Sequence, residues 1–274
     1  MKLSITEQIS FSTIRIEAQN ATGTISGTGF FFNFNSNIQD THIPCIVTNK
    51  HVVENTISAV LVFTCKTHDD IEYLHRVNIT DFQKSWIFHP ETDTDLCIMP
   101  IAYIISLLQQ NNINPFYIPL DQRLLPTNVQ LKELSVTEEV FMIGYPNGIW
   151  DDHNNKPIFR RGITATNPSL DFKGKKEFLI DAACFPGSSG SPVMVVNPGG
   201  HFTKDGSLVF SGSRVYLLGV LYAGPQHSAK GEIKFVNIPS IITSMPNNLG
   251  LVIKSEKLLD FLPILHNLLN TQIQ

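Results

Sequence analysis

The chain has 274 residues, 42% of them hydrophobic and 16% charged, with a formal net charge of −4. This apolar content is enough for a sizeable core, and it excludes a disordered chain. A weakly acidic chain gives no electrostatic reason to bind nucleic acid or an anionic membrane, so neither partner is expected. No metal-ligand cluster, phosphate loop or nucleotide motif is visible, so no cofactor and no metal are expected.

The location is predicted from the N-terminus and the cysteines. Glu7 and Gln8 interrupt the apolar stretch that a signal peptide needs, and no apolar run is long enough to span a membrane. The chain has four cysteines: Cys45, Cys65, Cys97 and Cys184. They form no CxxC pair, and we interpret them as buried thiols in a reducing compartment. We therefore expect a cytoplasmic protein.

Short runs rich in β-branched and aromatic residues predict strands along most of the chain. In the first half they cover residues 9–18, 27–34, 45–48, 59–65, 73–80 and 96–101. In the second half they cover residues 139–143, 157–166, 177–183, 193–196, 214–222 and 233–237. Residues 102–110 predict a short helix, and residues 111–134, rich in Pro, Asn and Gln, predict a linker. After Ser255, leucines at helical spacing predict a helix that Pro263 kinks or splits.

The segment 185–192, which reads Phe-Pro-Gly-Ser-Ser-Gly-Ser-Pro, has the features of a nucleophile turn. A serine hydroxyl needs a base to take its proton and backbone N–H groups aimed at the developing oxyanion. Gly187 allows a turn that directs its own N–H and that of Ser189 into one cavity. Taken alone, the segment fits an ordinary Gly/Ser turn equally well.

Two further segments supply a base and an acid. His51 follows the apolar run 45–48, and a neutral imidazole is the natural general base near neutral pH. Asp95 precedes another apolar run and is placed to orient the imidazole, although Asp93 is a rival two residues upstream.

Together, these segments resemble the trypsin-like serine proteases, in the His, Asp, Ser order of the chymotrypsin branch, and are most similar to the HtrA (Deg) type. The matching runs are SGTGF (26–30), TNKHVV (48–53), TDL (94–96), VFMIGYPNG (140–148), RGITA (161–165), DAA (181–183), PGSSGSP (186–192) and LGVL (218–221). The resemblance covers about residues 26–237 and favours Asp95 over Asp93. It includes no PDZ-like segment.

The resemblance implies an all-β fold of two antiparallel six-stranded barrels, chymotrypsin-like, with a C-terminal helix. We expect an N-terminal barrel over 1–115, a linker over 116–136, a C-terminal barrel over 137–254 and a helix over 255–274. The implied activity is that of a serine endopeptidase acting on protein or peptide substrates. Its triad is His51, Asp95 and Ser189, and the N–H groups of Gly187 and Ser189 form the oxyanion hole.

By position in the family, Ala183 forms the base of the primary specificity pocket, and Tyr222 and Gly224 form one wall. Without an acid at that base, an uncharged side chain is the expected preference. Ser188 stands where digestive relatives have an Asp that binds a new N-terminus, so the resemblance implies no activation by N-terminal cleavage. Ser191 replaces a Gly and is expected to add bulk near the oxyanion loop. We therefore expect low basal activity and an activating protein partner.

Two other interpretations stay open at this stage. The GxSxG-like string also occurs in α/β-hydrolases, whose acid and histidine follow the serine, but the strands here do not alternate with helices. The other interpretation is a catalytically idle protease fold that binds peptides or serves as a scaffold.

Overall fold

The computed structural model describes residues 2–37, 41–210, 212–223, 226–227, 245–246 and 248–272. The chain begins with a helix, α1 (Ile5–Ser10), where the sequence predicted a strand from residue 9. The Ser4 side chain accepts a hydrogen bond from the backbone N–H of Glu7, and the Glu7 side chain accepts one from that of Ser4. This capping box satisfies N–H groups of the first turn, so the helix forms ahead of the first strand.

An eight-stranded sheet follows, called here the N-terminal sheet, with strand order β5-β4-β1-β2-β3-β7-β6 and with β8 parallel to β2. Its strands are β1 (Thr13–Asn20), β2 (Gly23–Asn35), β3 (His42–Thr48), β4 (Thr56–Lys66), β5 (Glu72–Thr80), β6 (Ile87–Phe88), β7 (Cys97–Pro100) and β8 (Leu120–Asp121). The helices beside it are α2 (Lys50–Val53) and α3 (Ala102–Gln110), with a 3-10 turn at Phe82–Ser85.

The N-terminal sheet is not the closed six-stranded barrel that the sequence predicted. The two-residue β6 pairs with β7, and β5 pairs only with β4 among the described strands, so the two ends of the sheet do not join. Apolar side chains of β5, α3 and the C-terminal helix line the groove at this opening, among them Val77, Leu108 and Leu265. The opening between β5 and β6 is therefore an apolar groove.

The second half forms a closed six-stranded barrel, the C-terminal barrel, with strand order β10-β11-β18-β15-β12-β9. Its strands are β9 (Glu139–Gly144), β10 (Ile158–Thr164), β11 (Glu177–Asp181), β12 (Pro192–Asn197), β15 (Arg214–Ala223) and β18 (Leu249–Lys254). All its pairs are antiparallel, which excludes the doubly wound sheet of an α/β-hydrolase.

Smaller elements lie between and beside these strands. Two antiparallel two-stranded pairs are β13 (His201–Phe202) with β14 (Leu208–Val209), and β16 (Gln226–His227) with β17 (Met245–Pro246). The stretch between the two halves contains α4 (Asn128–Glu133), and the remaining 3-10 turns are Gln122–Leu124, Pro146–Gly148 and Phe172–Gly174. The strand predicted at 233–237 lies outside the described residues.

The C-terminal segment begins as a 3-10 helix, Ser255–Phe261, and continues as α5 (Leu262–Gln272). Pro263 lies in the first turn of α5, where its missing N–H has no helical partner to lose, so the predicted split is confirmed. Leu258 and Phe261 pack with Phe34 of β2 and Val220 of β15 in one core that joins both halves. None of the described helices is long and apolar enough to cross a membrane.

Candidate active site

His51 and Asp95 are in direct contact. His51 lies in α2, immediately after β3, and Asp95 lies just before β7, which pairs with β3. One carboxylate oxygen of Asp95 is 2.5 Å from the ring nitrogen Nδ1 of His51, and the other accepts a hydrogen bond from the His51 backbone N–H at 3.1 Å. The Asn49 side chain donates to the Asp95 carbonyl at 2.8 Å. The pairing of β3 with β7 therefore brings base and acid together.

The rival acid, Asp93, does not take this position. Its side chain is 72% exposed, and its ion-pair partner is Lys175, at 3.7 Å. Both acids belong to the acid loop (residues 89–95). The ammonium of Lys50 anchors this loop by donating to the carbonyls of Glu91 and Thr92 at 3.0 and 3.3 Å.

Residues 186–191, called here the serine loop, have every carbonyl from 186 to 189 fixed by a hydrogen bond. The donors are the Asn147 N–H to Pro186 at 2.6 Å, the Thr28 hydroxyl to Gly187 at 2.8 Å, the Ser191 N–H to Ser188 at 3.0 Å and the Thr28 N–H to Ser189 at 2.9 Å. The N–H and C=O of a trans peptide point in opposite directions, so these bonds also fix where the loop N–H groups point.

Two N–H groups of the serine loop have no acceptor among the described residues, those of Gly187 and Ser189. The other three donate, from Ser188 to Phe185, from Gly190 to Leu221 and from Ser191 to Ser188. Gly187 has φ +86°, and a Cβ there would meet the Tyr145 carbonyl at 2.6 Å, so the turn requires glycine. The loop therefore presents two alternate N–H groups, as an oxyanion site needs.

The hydroxyl of Ser189 donates to the Tyr222 carbonyl at 3.4 Å. Within the described part of the chain, it makes no hydrogen bond to His51. Because a serine side chain moves between staggered rotamers, a rotation about its Cα–Cβ bond redirects this hydroxyl. The base–acid contact is thus formed here, whereas the nucleophile–base contact is not.

The two serines beside Ser189 point inward. Ser188 and Ser191 are buried, and neither hydroxyl has a hydrogen-bond partner among the described residues. The Ser191 hydroxyl fills the space that Gly144 leaves free, since a Cβ at 144 would lie 2.2 Å from it. The bulk of Ser191 is therefore accommodated in the core beneath the serine loop.

Two of the three residues predicted for the specificity pocket, Ala183 and Tyr222, lie in the described part of the chain. Ala183 is half-buried, and the neighbouring Cys184 thiol is buried, which raises its pKa to about 11. The Tyr222 side chain packs on the core shared by both halves, and burial together with the carboxylate of Glu177 raises its pKa. Gly224 lies outside the described residues.

A buried histidine, His89, joins the acid loop to the C-terminal segment. Its Nδ1 accepts from the Glu91 N–H at 3.1 Å, and its Nε2 lies 3.2 Å from both the Lys257 carbonyl and a carboxylate oxygen of Asp260. The Lys257 ammonium bonds Glu91 and Asp260, and the Phe261 ring packs edge-on against the imidazole. Burial lowers the pKa of His89 against the opposing effect of Asp260.

These contacts bear on metal binding. His89, Glu91 and Asp260 offer ligand atoms within 4.8 Å of one another. Both ring nitrogens of His89 are already in hydrogen bonds, and the Lys257 ammonium is hydrogen-bonded to both carboxylates. The cluster is therefore suited to joining two parts of the chain rather than to holding a cation.

Several solved structures are similar to this chain, each with a TM-score below 0.5. They include the HtrA-type protease AlgW with a tripeptide (14% identity, 94% of this chain and 60% of that one, TM-score 0.48). Others are the serine endoprotease from Yersinia pestis (13%, 97% and 68%, 0.48) and the active form of the Rv3671c protease from M. tuberculosis (14%, 91% and 78%, 0.45). The chain spans 60% of the AlgW chain.

No curated protein matches this sequence significantly. The model of the trypsin-like peptidase domain, however, matches residues 27–201, which include His51, Asp95 and Ser189. The chain therefore belongs to the trypsin-like peptidase family.

Proposed function

We propose that the protein hydrolyses peptide bonds through an acyl-enzyme on Ser189, with His51 as general base and acid and Asp95 as the group that orients it. The observation that carries the proposal is the serine loop, whose carbonyls are held so that the N–H groups of Gly187 and Ser189 stay unpaired among the described residues. The contact of Asp95 with His51 supports it independently.

The reaction follows from these contacts. With the Nδ1–H of His51 donating to Asp95, the lone pair of Nε2 is free to take the Ser189 proton. Attack of the Ser189 oxygen turns the scissile carbonyl into an oxyanion, which the N–H groups of Gly187 and Ser189 bind. His51 then returns the proton to the leaving amine, and water releases the acyl group by the same steps in reverse.

The proposed substrates are proteins or peptides with an uncharged residue at the primary cleavage position. Ala183 brings no acid to the predicted base of the pocket, so a Lys or Arg side chain would find no counter-charge at that base. Cleavage of a peptide library tests this preference, and dominance of Arg or Lys at the primary position would refute it.

We propose low basal activity, because the Ser189 hydroxyl points to the Tyr222 carbonyl and not to His51, and we also propose a protein partner that activates the enzyme. The bond to the Tyr222 carbonyl competes with the bond to His51 that catalysis needs. The same bond favours the second candidate function, a catalytically idle peptide-binding module. We also propose a cytoplasmic location, because the four cysteines are buried free thiols.

Labelling with a fluorophosphonate probe distinguishes the two functions. We expect the wild type to be labelled and the Ser189→Ala and His51→Ala variants not to be labelled. If well-folded wild type takes no label, either alone or with a peptide added, the catalytic proposal is refuted. The second candidate function, a catalytically idle peptide-binding module, is then favoured.

A further inference from the structure

Thr28 lies in β2 of the N-terminal sheet, yet its hydroxyl contacts the serine loop of the C-terminal barrel. The residue is fully buried. Its hydroxyl donates to the Gly187 carbonyl at 2.8 Å and accepts from the Tyr145 N–H at 3.1 Å. Its backbone N–H donates to the Ser189 carbonyl at 2.9 Å. One residue of the sheet thus contacts both residues that carry the unpaired N–H groups.

The direction of the Thr28 hydroxyl is fixed by its surroundings. A backbone N–H is an obligatory donor, so the bond from Tyr145 occupies a lone pair of the hydroxyl oxygen and leaves its hydrogen for Gly187. Bonds in such a chain polarise and strengthen one another in a buried site. The hydroxyl is therefore a directed donor and not a rotating one.

The peptide held by this bond lies between the two N–H groups of the oxyanion site. The Gly187 carbonyl is bonded at one end, and the Ser188 N–H at the other end donates to Phe185 at 3.0 Å. Gly187, like Gly190, resists backbone rotation less than the other residues of the loop, because it has no Cβ. When the Gly187 carbonyl loses this bond, the peptide between Gly187 and Ser188 can rotate. That peptide then no longer fixes the relative direction of the Gly187 and Ser189 N–H groups.

We propose that Thr28 is a positioning residue for the oxyanion hole, acting from the N-terminal sheet through its side-chain hydroxyl. This inference rests on the proposed function, since it assigns to Thr28 the geometry of that site. In this proposal the N-terminal sheet supplies His51 and Asp95 and also sets the geometry of the oxyanion site in the C-terminal barrel.

The test compares Thr28→Val, which keeps the shape and removes the hydroxyl, with Thr28→Ser, which keeps the hydroxyl. Thr164→Val is the matched control: Thr164 is also fully buried, and its hydroxyl also accepts from an N–H (Glu138, 2.8 Å) and donates to a carbonyl (Val136, 2.5 Å). All three variants are measured for thermal unfolding and for fluorophosphonate inactivation.

Loss of an oxyanion donor lowers turnover by about 10²–10³, so we expect Thr28→Val to lower the inactivation rate constant at saturation at least tenfold. The half-saturating probe concentration should stay unchanged, and Thr28→Ser should restore most of the rate. Thr164→Val should lose comparable thermal stability and keep the wild-type rate. Equal rates for Thr28→Val and Thr164→Val, or no recovery in Thr28→Ser, would overturn the inference.

Failure of the proposed function is recognised separately. Wild type that takes no probe refutes the catalytic proposal, and the Thr28 inference is then decided by a crystal structure of Thr28→Val. A Gly187 carbonyl that keeps its direction would overturn the inference, and a rotated carbonyl would support it.

Discussion

Replacing Asp95 by asparagine tests the proposed triad through the tautomer of His51. Asp95 accepts two hydrogen bonds from His51, at 2.5 Å from the ring nitrogen and at 3.1 Å from the backbone N–H. The backbone N–H can only donate, so the amide oxygen of the introduced asparagine must face it. The amide NH₂ then faces Nδ1, which has to become an acceptor, and the ring proton moves to Nε2. His51 can then no longer take the proton of Ser189.

The expected loss is large because the base itself is removed. The same change in enzymes with this constellation lowers turnover about 10⁴-fold. At about 1.36 kcal/mol for each tenfold, this is about 5 kcal/mol of transition-state stabilisation. A single charge-assisted hydrogen bond contributes about 1.5–3 kcal/mol, so the loss exceeds what one weakened contact would give.

The assay is fluorophosphonate inactivation near neutral pH, with thermal unfolding as a folding control. Asp93→Asn is the matched control, because Asp93 is exposed and has no contact with His51 among the described residues, and its rate should equal that of the wild type. A fall of less than tenfold in well-folded Asp95→Asn, or an equal fall in Asp93→Asn, would refute the reasoning.

Two further predictions concern stability. Arg214 and Glu138 form an ion pair whose side chains are 8% and 10% exposed. Arg214→Met should lower the free energy of unfolding in urea by about 3–5 kcal/mol, because it leaves a buried unpaired carboxylate. Adding Glu138→Gln should recover most of this stability, and a single variant that loses no more stability than the double variant would contradict the prediction. Burial lowers the pKa of His89 below 6.5, so the unfolded chain takes up a proton at this residue before the folded protein does as the pH falls. The contribution of neutral His89 to stability is therefore full above pH 6.5 and is lost below it. Unfolding measured about one pH unit above and one below that value should therefore show a smaller fall for His89→Gln than for the wild type, and equal falls would show that His89 does not contribute.

Much of the fold follows from local sequence patterns. The barrel strands other than β18, and the helix α3, lie where alternating and helical patterns predict them, because those patterns depend on side-chain period alone. The helix α1 was missed although its capping box, Ser4 with Glu7, is visible in the sequence. The open N-terminal sheet could not be predicted, because closure depends on whether β5 and β6 pair, and a two-residue β6 carries no pattern.

The candidate site is predictable only in part. Motif order in the sequence identifies His51 and Asp95, and their contact follows once β3 pairs with β7. The role of Thr28 could not be seen, because the bond to Gly187 joins residues 159 positions apart. Its only sequence signal is a hydroxyl residue between two glycines of a strand. Nor does sequence indicate where the Ser189 hydroxyl points, since that is a choice of rotamer.

The contact of Lys257 with Glu91 has a consequence for the order of events during synthesis. The acid loop that carries Asp95 is joined, through Glu91 and His89, to residues 257–260, which are translated after Ser189. A chain still on the ribosome can have made His51, Asp95 and Ser189 while it lacks Lys257 and Asp260. Because domains fold as units during translation, we expect such a nascent chain to hold its acid loop loosely. We therefore expect the proposed activity to appear only after the C-terminal segment has left the exit tunnel.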